Sequence, residues 1–168
     1  MVLDGRLHSV YVGLESSNPF LLKYCINKDL ALADFEKANK ILHQHQIKTI
    51  ANVLVGVPFL KSEEDIVYAV ETIRWAFFKD VDECHIFPTH VKASTSLENL
   101  YQAGLYHPPS LWSLVEVLHR LDPAFYDRLR SSWYTTLGAY NIVASPGFLP
   151  SMQSPGDRAD GRLYGTSG

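Results

Sequence analysis

Cysteine is scarce in this 168-residue chain: Cys25 and Cys84 are the only two, and they form no C-x-x-C pair. They support neither a disulfide framework nor a zinc ribbon, and reduced thiols are the plain reading. Long apolar runs are missing too. No stretch approaches the roughly 18 to 20 residues of a membrane span, and Met1 to Gly5 carries no secretory apolar region. The sequence therefore predicts a soluble protein of the cytoplasm. Nor does one charge dominate: 15 Lys and Arg stand against 18 Asp and Glu, a net charge of −3, so no global field favours a polyanion. This argues against a basic nucleic-acid-binding module, while leaving room for an enzyme that meets RNA through a local patch.

Material for a core is present. Hydrophobic residues make up 46% and aromatic residues 12% of the chain, enough for one ordinary domain. Val10 to Leu14 reads as a buried strand stopped by the polar turn Glu15-Ser16-Ser17-Asn18-Pro19, with a short helix near Phe20 to Cys25. Ala31, Phe35, Ala38, Ile41, Leu42 and His45 recur at helical spacing, with Lys and Glu elsewhere around the circle, and predict an amphipathic helix over 31–46. Thr49 to Val57 is β-branched and apolar, the pattern of a strand in a parallel sheet. Ser62 is placed to cap the next helix, with Asp65 three residues on, and Ile66, Ala69, Val70, Ile73 and Phe77 mark its buried stripe. A third strand is expected at Glu83 to Phe87, then a helix over 96–103 ended by Gly104. Pro108-Pro109-Ser110 introduces another, with Leu111, Leu114, Val115, Leu118 and Leu121 inward. Asp122-Pro123 closes it and starts one more, carrying Phe125, Tyr126 and Leu129. Past Gly138 periodicity fades, which predicts a flexible tail over 151–168.

Strands alternating with helices over short connections signify right-handed βαβ units and a parallel sheet. The expected fold is α/β, a partial (β/α) TIM-type barrel of about three parallel strands with flanking helices over 1–122. A helical or irregular extension follows over 123–150. A closed barrel takes about eight strands and 250 residues, so the sheet here is expected to be open, with edges that need covering.

In such folds ligands meet the carboxyl ends of the strands. The candidates there are Gly13, Glu15, Ser16 and Asn18 after the first strand, Gly56 and Pro58 after the second, and Pro88, His90 and Thr95 after the third. Gly13 and Gly56 would leave room for a ligand, and Glu15 and Ser16 supply an acceptor and a donor. The same residues serve equally as turn formers with no ligand. His85, His90 and His107 match no zinc spacing, so no metal site is expected from them. Cys84 reads as a small buried hydrophobe, and His43 and His45 as helix-surface side chains.

The ordered series Val12-Gly13-Leu14-Glu15-Ser16-Ser17, Ile26-Asn27-Lys28, Val53 to Leu60 and Glu63-Glu64-Asp65-Ile66 resembles the radical S-adenosylmethionine superfamily, in the branch of elongator-type and methylthiotransferase-like barrels. Cys25-Ile26-Asn27-Lys28, Pro58-Phe59-Leu60 and the stretch from Gly104 to Leu118 are similar to the radical enzymes of archaeosine formation. The resemblance implies that Glu15 and Ser16 face the methionine or ribose part of the cofactor. It places Gly56 and Pro58 near the adenine and closes the segment from Pro88 to Thr95 on it, with Ser94 where the family usually has glycine.

The family's chemistry requires three thiolates in a C-x-x-x-C-x-x-C loop to hold a 4Fe-4S cluster, and Cys25 and Cys84 do not supply them. The resemblance thus implies the C-terminal part of a radical enzyme core. This part would contribute the wall that faces S-adenosylmethionine, without catalysis by this chain alone. It also implies a partner, either the missing N-terminal half-barrel or another protein over the strand edges, and a substrate that is RNA or a small molecule. The alternative is a non-catalytic truncated barrel serving as an interaction or regulatory module. On either reading Trp112 and Trp133 are expected in the core or an interface.

Overall fold

The computed structural model describes residues 8–131 and 141–147. Along them run β1 (Ser9–Glu15), a π-helical turn (Leu21–Cys25), α1 (Leu32–Gln44), β2 (Lys48–Val55), α2 (Ser62–Phe78), β3 (Glu83–Pro88) and β4 (Val91–Lys92). There follow α3 (Ser96–Gln102), α4 (Leu111–His119), a 3-10 helix (Pro123–Arg128), β5 (Leu129–Ser131) and β6 (Ile142–Ala144). Strands β1, β2, β3 and β5 form one parallel sheet in that order, while β4 pairs with β6 antiparallel. No helix among the described residues is long and apolar enough to cross a membrane.

The parallel α/β architecture matches the expectation, with one strand more than the three read from the sequence. That fourth strand, β5, is only Leu129-Arg130-Ser131, too short and too polar to show as an apolar run. The expected helix carrying Phe125, Tyr126 and Leu129 is instead the 3-10 helix, capped by Asp122, whose carboxylate accepts from the Ala124 amide at 2.9 Å. What holds β5 in place is Arg128. Its guanidinium donates to the carbonyls of Asp82 and Val81 and lies 4.2 Å from the centroid of the Phe77 ring. The expected tail over 151–168 and Trp133 lie outside the described residues.

Helices α1, α2 and α4 pack on one face of the sheet. Leu14, Ala51, Val53, Val55, Cys84, Ile86 and Leu129 from the strands meet Phe35, Ile66, Ala69, Val70, Ile73, Phe77, Leu114, Val117 and Leu121 in one cluster. The stripe read for α2 is therefore the buried one, whereas two others are rotated. In α1 the inward residues are Phe35 and Asn39, while Ala31, Ala38 and Ile41 face solvent, and His45 is exposed as read for a helix-surface side chain. The Asn39 amide explains the rotation: it donates 2.8 Å to the carbonyl of Lys79 at the end of α2, fixing a polar residue inward that an apolar count passes over. In α4 the inward side is Ser113, Leu114 and Val117, and Val115 and Leu118 point outward.

The start of α2 also differs by one residue. Lys61 is the capping position, and its amide donates 2.9 Å to Glu64. This frees Asp65, expected to complete the cap, for a different task at the end of β2.

Candidate functional site: the strand ends and the helix-free face

At the end of β1 the chain folds around its own side chains. Glu15 takes a left-handed φ of 63°, which turns its carboxylate back beside Lys28 at 3.2 Å. The Lys28 ammonium also donates to the carbonyl of Gly13. A Cβ at Gly13 would stand 2.5 Å from both Glu15 Oε1 and Lys28 Nζ, so the missing side chain makes room for this ion pair. Ser16 is buried, and its hydroxyl accepts from the Asn18 amide at 3.2 Å. Asn18 in turn caps the π-helical turn, accepting from Phe20 at 2.9 Å and Leu21 at 3.3 Å.

At the end of β2, one peptide unit is held from both sides. Asp65 accepts from the amides of Gly56 at 2.7 Å and Val57 at 2.9 Å, and the Tyr106 hydroxyl donates 2.8 Å to the carbonyl of Gly56. Gly56 has φ 96°, and a Cβ there would lie 2.5 Å from Pro109 Cδ. The close approach at this glycine is therefore made by the chain's own Pro109. Burial pushes the Asp65 carboxyl up to about 6, against the two amide bonds that pull it down. Burial and the neighbouring Asp65 charge raise the Tyr106 phenol well above its usual value. Above this floor opens a cleft of about 460 Å³ whose walls are Phe59 to Ser62 and Gly104 to Ser110. Pro58 is half-buried beside it.

At the end of β3, Pro88 is buried and the following Thr89 amide donates 2.8 Å to the carbonyl of Val55. His90 is buried with its Nδ1 3.1 Å from the Ser145 hydroxyl, and burial together with Lys92 holds its imidazole below the usual value. Thr95 caps α3: its hydroxyl accepts from Glu98 at 3.2 Å and donates to the carbonyl of Lys92 at 2.7 Å. Ser94, where the resemblance implies a glycine, has φ 63°.

Glu15, Gly56 and Pro88 thus lie along one edge of the sheet, while the side chains of Asn18 and Thr95 serve as local caps. The two cysteines do not form a ligand set at that edge. Cys84 sits in the core, where burial pushes its thiol up to about 12, and Cys25 is on the π-helical turn. Among the described residues no three His, Cys, Asp or Glu side chains converge to hold a metal.

The sheet face turned away from the helices carries a second polar group of residues. In the parallel register Gly13 stands opposite Asn52, Asn52 opposite His85, and His85 opposite Arg130. Side chains paired this way project on the same face. The Tyr11 ring meets the His85 imidazole edge-on, centroids 5.2 Å apart, and Glu83 lies two residues before His85 with a carboxylate oxygen 3.7 Å from Nε2. Sequence reading passed over this row because Asn52 and His85 are single polar residues inside apolar strands. Counting alternate residues would have found them, since the same parity puts Ala51, Val53, Cys84 and Ile86 in the core.

No family model matches the sequence. The chain is 36% identical over 118 residues to archaeosine synthase subunit beta of Thermococcus kodakarensis, covering 70% of this chain and 36% of that protein. To the Methanosarcina acetivorans protein of the same name it is 28% identical over 127 residues, covering 73% of this chain and 35% of the relative. It thus spans about a third of the length of the curated relatives it matches. Among solved structures, Methanocaldococcus infernus Elp3 superposes with a TM-score of 0.64 at 21% identity, covering 83% of this chain and 33% of the other. The radical S-adenosylmethionine methyltransferase TsrM of Kitasatospora setae does so with a TM-score of 0.53 at 11% identity, covering 76% and 34%. By sequence the chain is thus similar to part of the archaeosine synthase subunit beta proteins, and by fold to part of Elp3 and of the radical S-adenosylmethionine methyltransferase TsrM.

Proposed function

We propose that this chain supplies the cofactor-facing wall of a radical S-adenosylmethionine barrel and is inactive until another polypeptide segment provides the cluster-binding loop. The observation that carries this reading is the Glu15 and Lys28 pair at the carboxyl end of an edge strand. A carboxylate and an ammonium side by side complement a ligand that itself carries an ammonium and a carboxylate, as the methionine part of the cofactor does. Ser16 and the backbone of Gly13 line the same turn, and Gly56, Pro58 and Pro88 form the neighbouring rim. Asn18 and Thr95 would act there by shaping the turns rather than through free side-chain groups. The bound cofactor would supply the radical chemistry, and this chain would orient and enclose it.

The 4Fe-4S cluster does not fit the two thiols present, so its ligands would come from the covering half-barrel. The relatives' name suggests an RNA nucleoside as the substrate of the assembled protein. The test is to combine this chain with the half-barrel carrying the three-cysteine loop and follow consumption of S-adenosylmethionine under reducing conditions. Consumption that Glu15→Gln slows would bear out the reading. Cofactor loss that never exceeds that of the cluster-bearing half alone would overturn it.

A second reading is favoured by how many of these groups are already engaged within the chain. Lys28 neutralises Glu15, Pro109 fills the space at Gly56, and Asn18 and Thr95 cap helical turns. On this view the chain is a non-catalytic module whose strand edges bind a partner. Sedimentation of the isolated chain discriminates: a folded monomer with no tendency to associate would count against it.

A further inference from the structure

We propose that the cleft between the first turns of α2 and α4 binds the flat heteroaromatic base of a nucleoside or nucleotide, with Phe59 as its stacking surface. The inference stands apart from the cofactor reading: none of Glu15, Ser16, Asn18, Pro88 and Thr95 lines this cleft, whereas Ser62, Asp65 and Ser113 of the helix layer do. Room for a ligand is present. The volume of about 460 Å³ lies within the range of small-molecule sites, roughly 300–1,000 Å³.

Pro58 and Phe59 form the turn between β2 and α2, and Phe59 takes φ 71°. In a turn with proline first and a left-handed residue second, glycine fits without strain and a bulky side chain does not. Strain of this kind persists where the surroundings or a function require it. Packing of the ring does not supply the reason, because Phe59 is 65% exposed. The ring instead stands in one wall of the cleft, and Leu105, 70% exposed, stands in the wall formed by residues 104–110. Two large apolar side chains left in water on the two walls of one cleft complement a flat ring that slides between them.

The polar part of the lining suits a base rather than a plain aromatic ring. Ser62 and Ser113 bring their hydroxyls 3.4 Å apart, each able to donate or accept at a base edge. The carboxylates at this helix start are engaged: Glu63 is paired with Arg120, Glu64 accepts from the Lys61 amide, and Asp65 accepts from Gly56 and Val57. Lys61 and His107 complete the lining and suit a ribose or a phosphate.

The test is an NMR titration of the full 15N-labelled chain, read at the backbone amides of residues 59–62 and 104–107. The probes are UMP and GMP, neither of which carries adenine, with ribose 5-phosphate as the control that lacks a base. Saturable shifts are expected with both nucleotides and not with ribose 5-phosphate. Phe59→Gly is expected to weaken nucleotide binding by at least about fivefold, the loss of one stacked base. The same variant is expected not to lower the urea midpoint, because glycine relieves the turn of strain. Phe59→Trp retains binding. The proposal is overturned if neither nucleotide gives a saturable shift, if ribose 5-phosphate responds equally, or if Phe59→Gly binds as well as the parent. A lowered urea midpoint in Phe59→Gly would also overturn it, by making the ring a structural element. Decauridylate identifies the source: binding stronger than that of UMP assigns a nucleic-acid strand, and binding no stronger assigns a free nucleotide.

Discussion

Asp65 is a buried ionisable group that ties the start of α2 to the end of β2, and its substitution by asparagine tests the account of the strand-end geometry. The carboxylate is 5% exposed and accepts two amides, one on each oxygen. Burial moves its titration from the ordinary 3.8 to about 6. A carboxyl whose folded value is raised binds a proton more readily folded than unfolded. Its contribution to stability is therefore greatest below pH 4 and declines as pH climbs through about 6, levelling off above. Two units correspond to about 3 kcal/mol across that window. The asparagine side chain would not titrate, but its amide offers one acceptor oxygen, so either Gly56 or Val57 would lose its partner at a cost of about 1–3 kcal/mol. At pH 4 Asp65→Asn is thus expected to be less stable than the parent by roughly that amount. Near pH 7 the removed charge offsets most of the difference. Urea unfolding of both proteins from pH 4 to 8 measures this, and taking the difference between them cancels every other titrating group. A difference that stays constant over the whole range would refute the account of Asp65 as a buried, desolvated charge.

Three further outcomes follow from the geometry. Gly56→Ala places a Cβ against Pro109 at a left-handed φ and should lower stability by about 1–3 kcal/mol in urea titration. Thr95→Ala removes the α3 cap and should cost about 1 kcal/mol in the same assay, whereas Thr95→Ser should retain most of it. In thiol labelling at pH 8, Cys25 should react first and Cys84 only as the chain unfolds, since the latter is sealed in the core; simultaneous reaction in the folded protein would contradict its placement.

How far the sequence reveals this structure depends on the length of each signal. β2 and α2 are legible because they are long: β2 is mostly an apolar, β-branched run of eight residues, and α2 carries a helical apolar stripe over seventeen. β5 is not, because three residues carry no period, and its position comes from Arg128 reaching carbonyls 46 and 47 residues away in the chain. The inward face of α1 is misread because Asn39 counts as polar in any apolar pattern, although its hydrogen bond makes it a core residue. At the candidate site, the strand-end positions follow from topology alone. The partners that occupy them, Lys28 at Gly13 and Pro109 at Gly56, are brought in by turns whose direction no local pattern encodes. Lys28 lies within a recognised motif, and the opposite charge at Glu15 hints at its role. Nothing comparable marks Tyr106 as the donor to Gly56.

The main sheet has its strands in the same order as the chain, β1, β2, β3 and then β5. Such a sheet is built like a row of bricks, each laid against the one before, with no strand inserted between two already placed. Growth at either edge requires no rearrangement of the interior, because the pairing of β2 with both neighbours is complete whatever comes before β1 or after β5. During synthesis each βα unit can dock as it leaves the ribosome and keep its position. Over longer times, the same additivity lets genes lengthen, shorten or divide a sheet of this type at its edges while leaving the remaining strands in register.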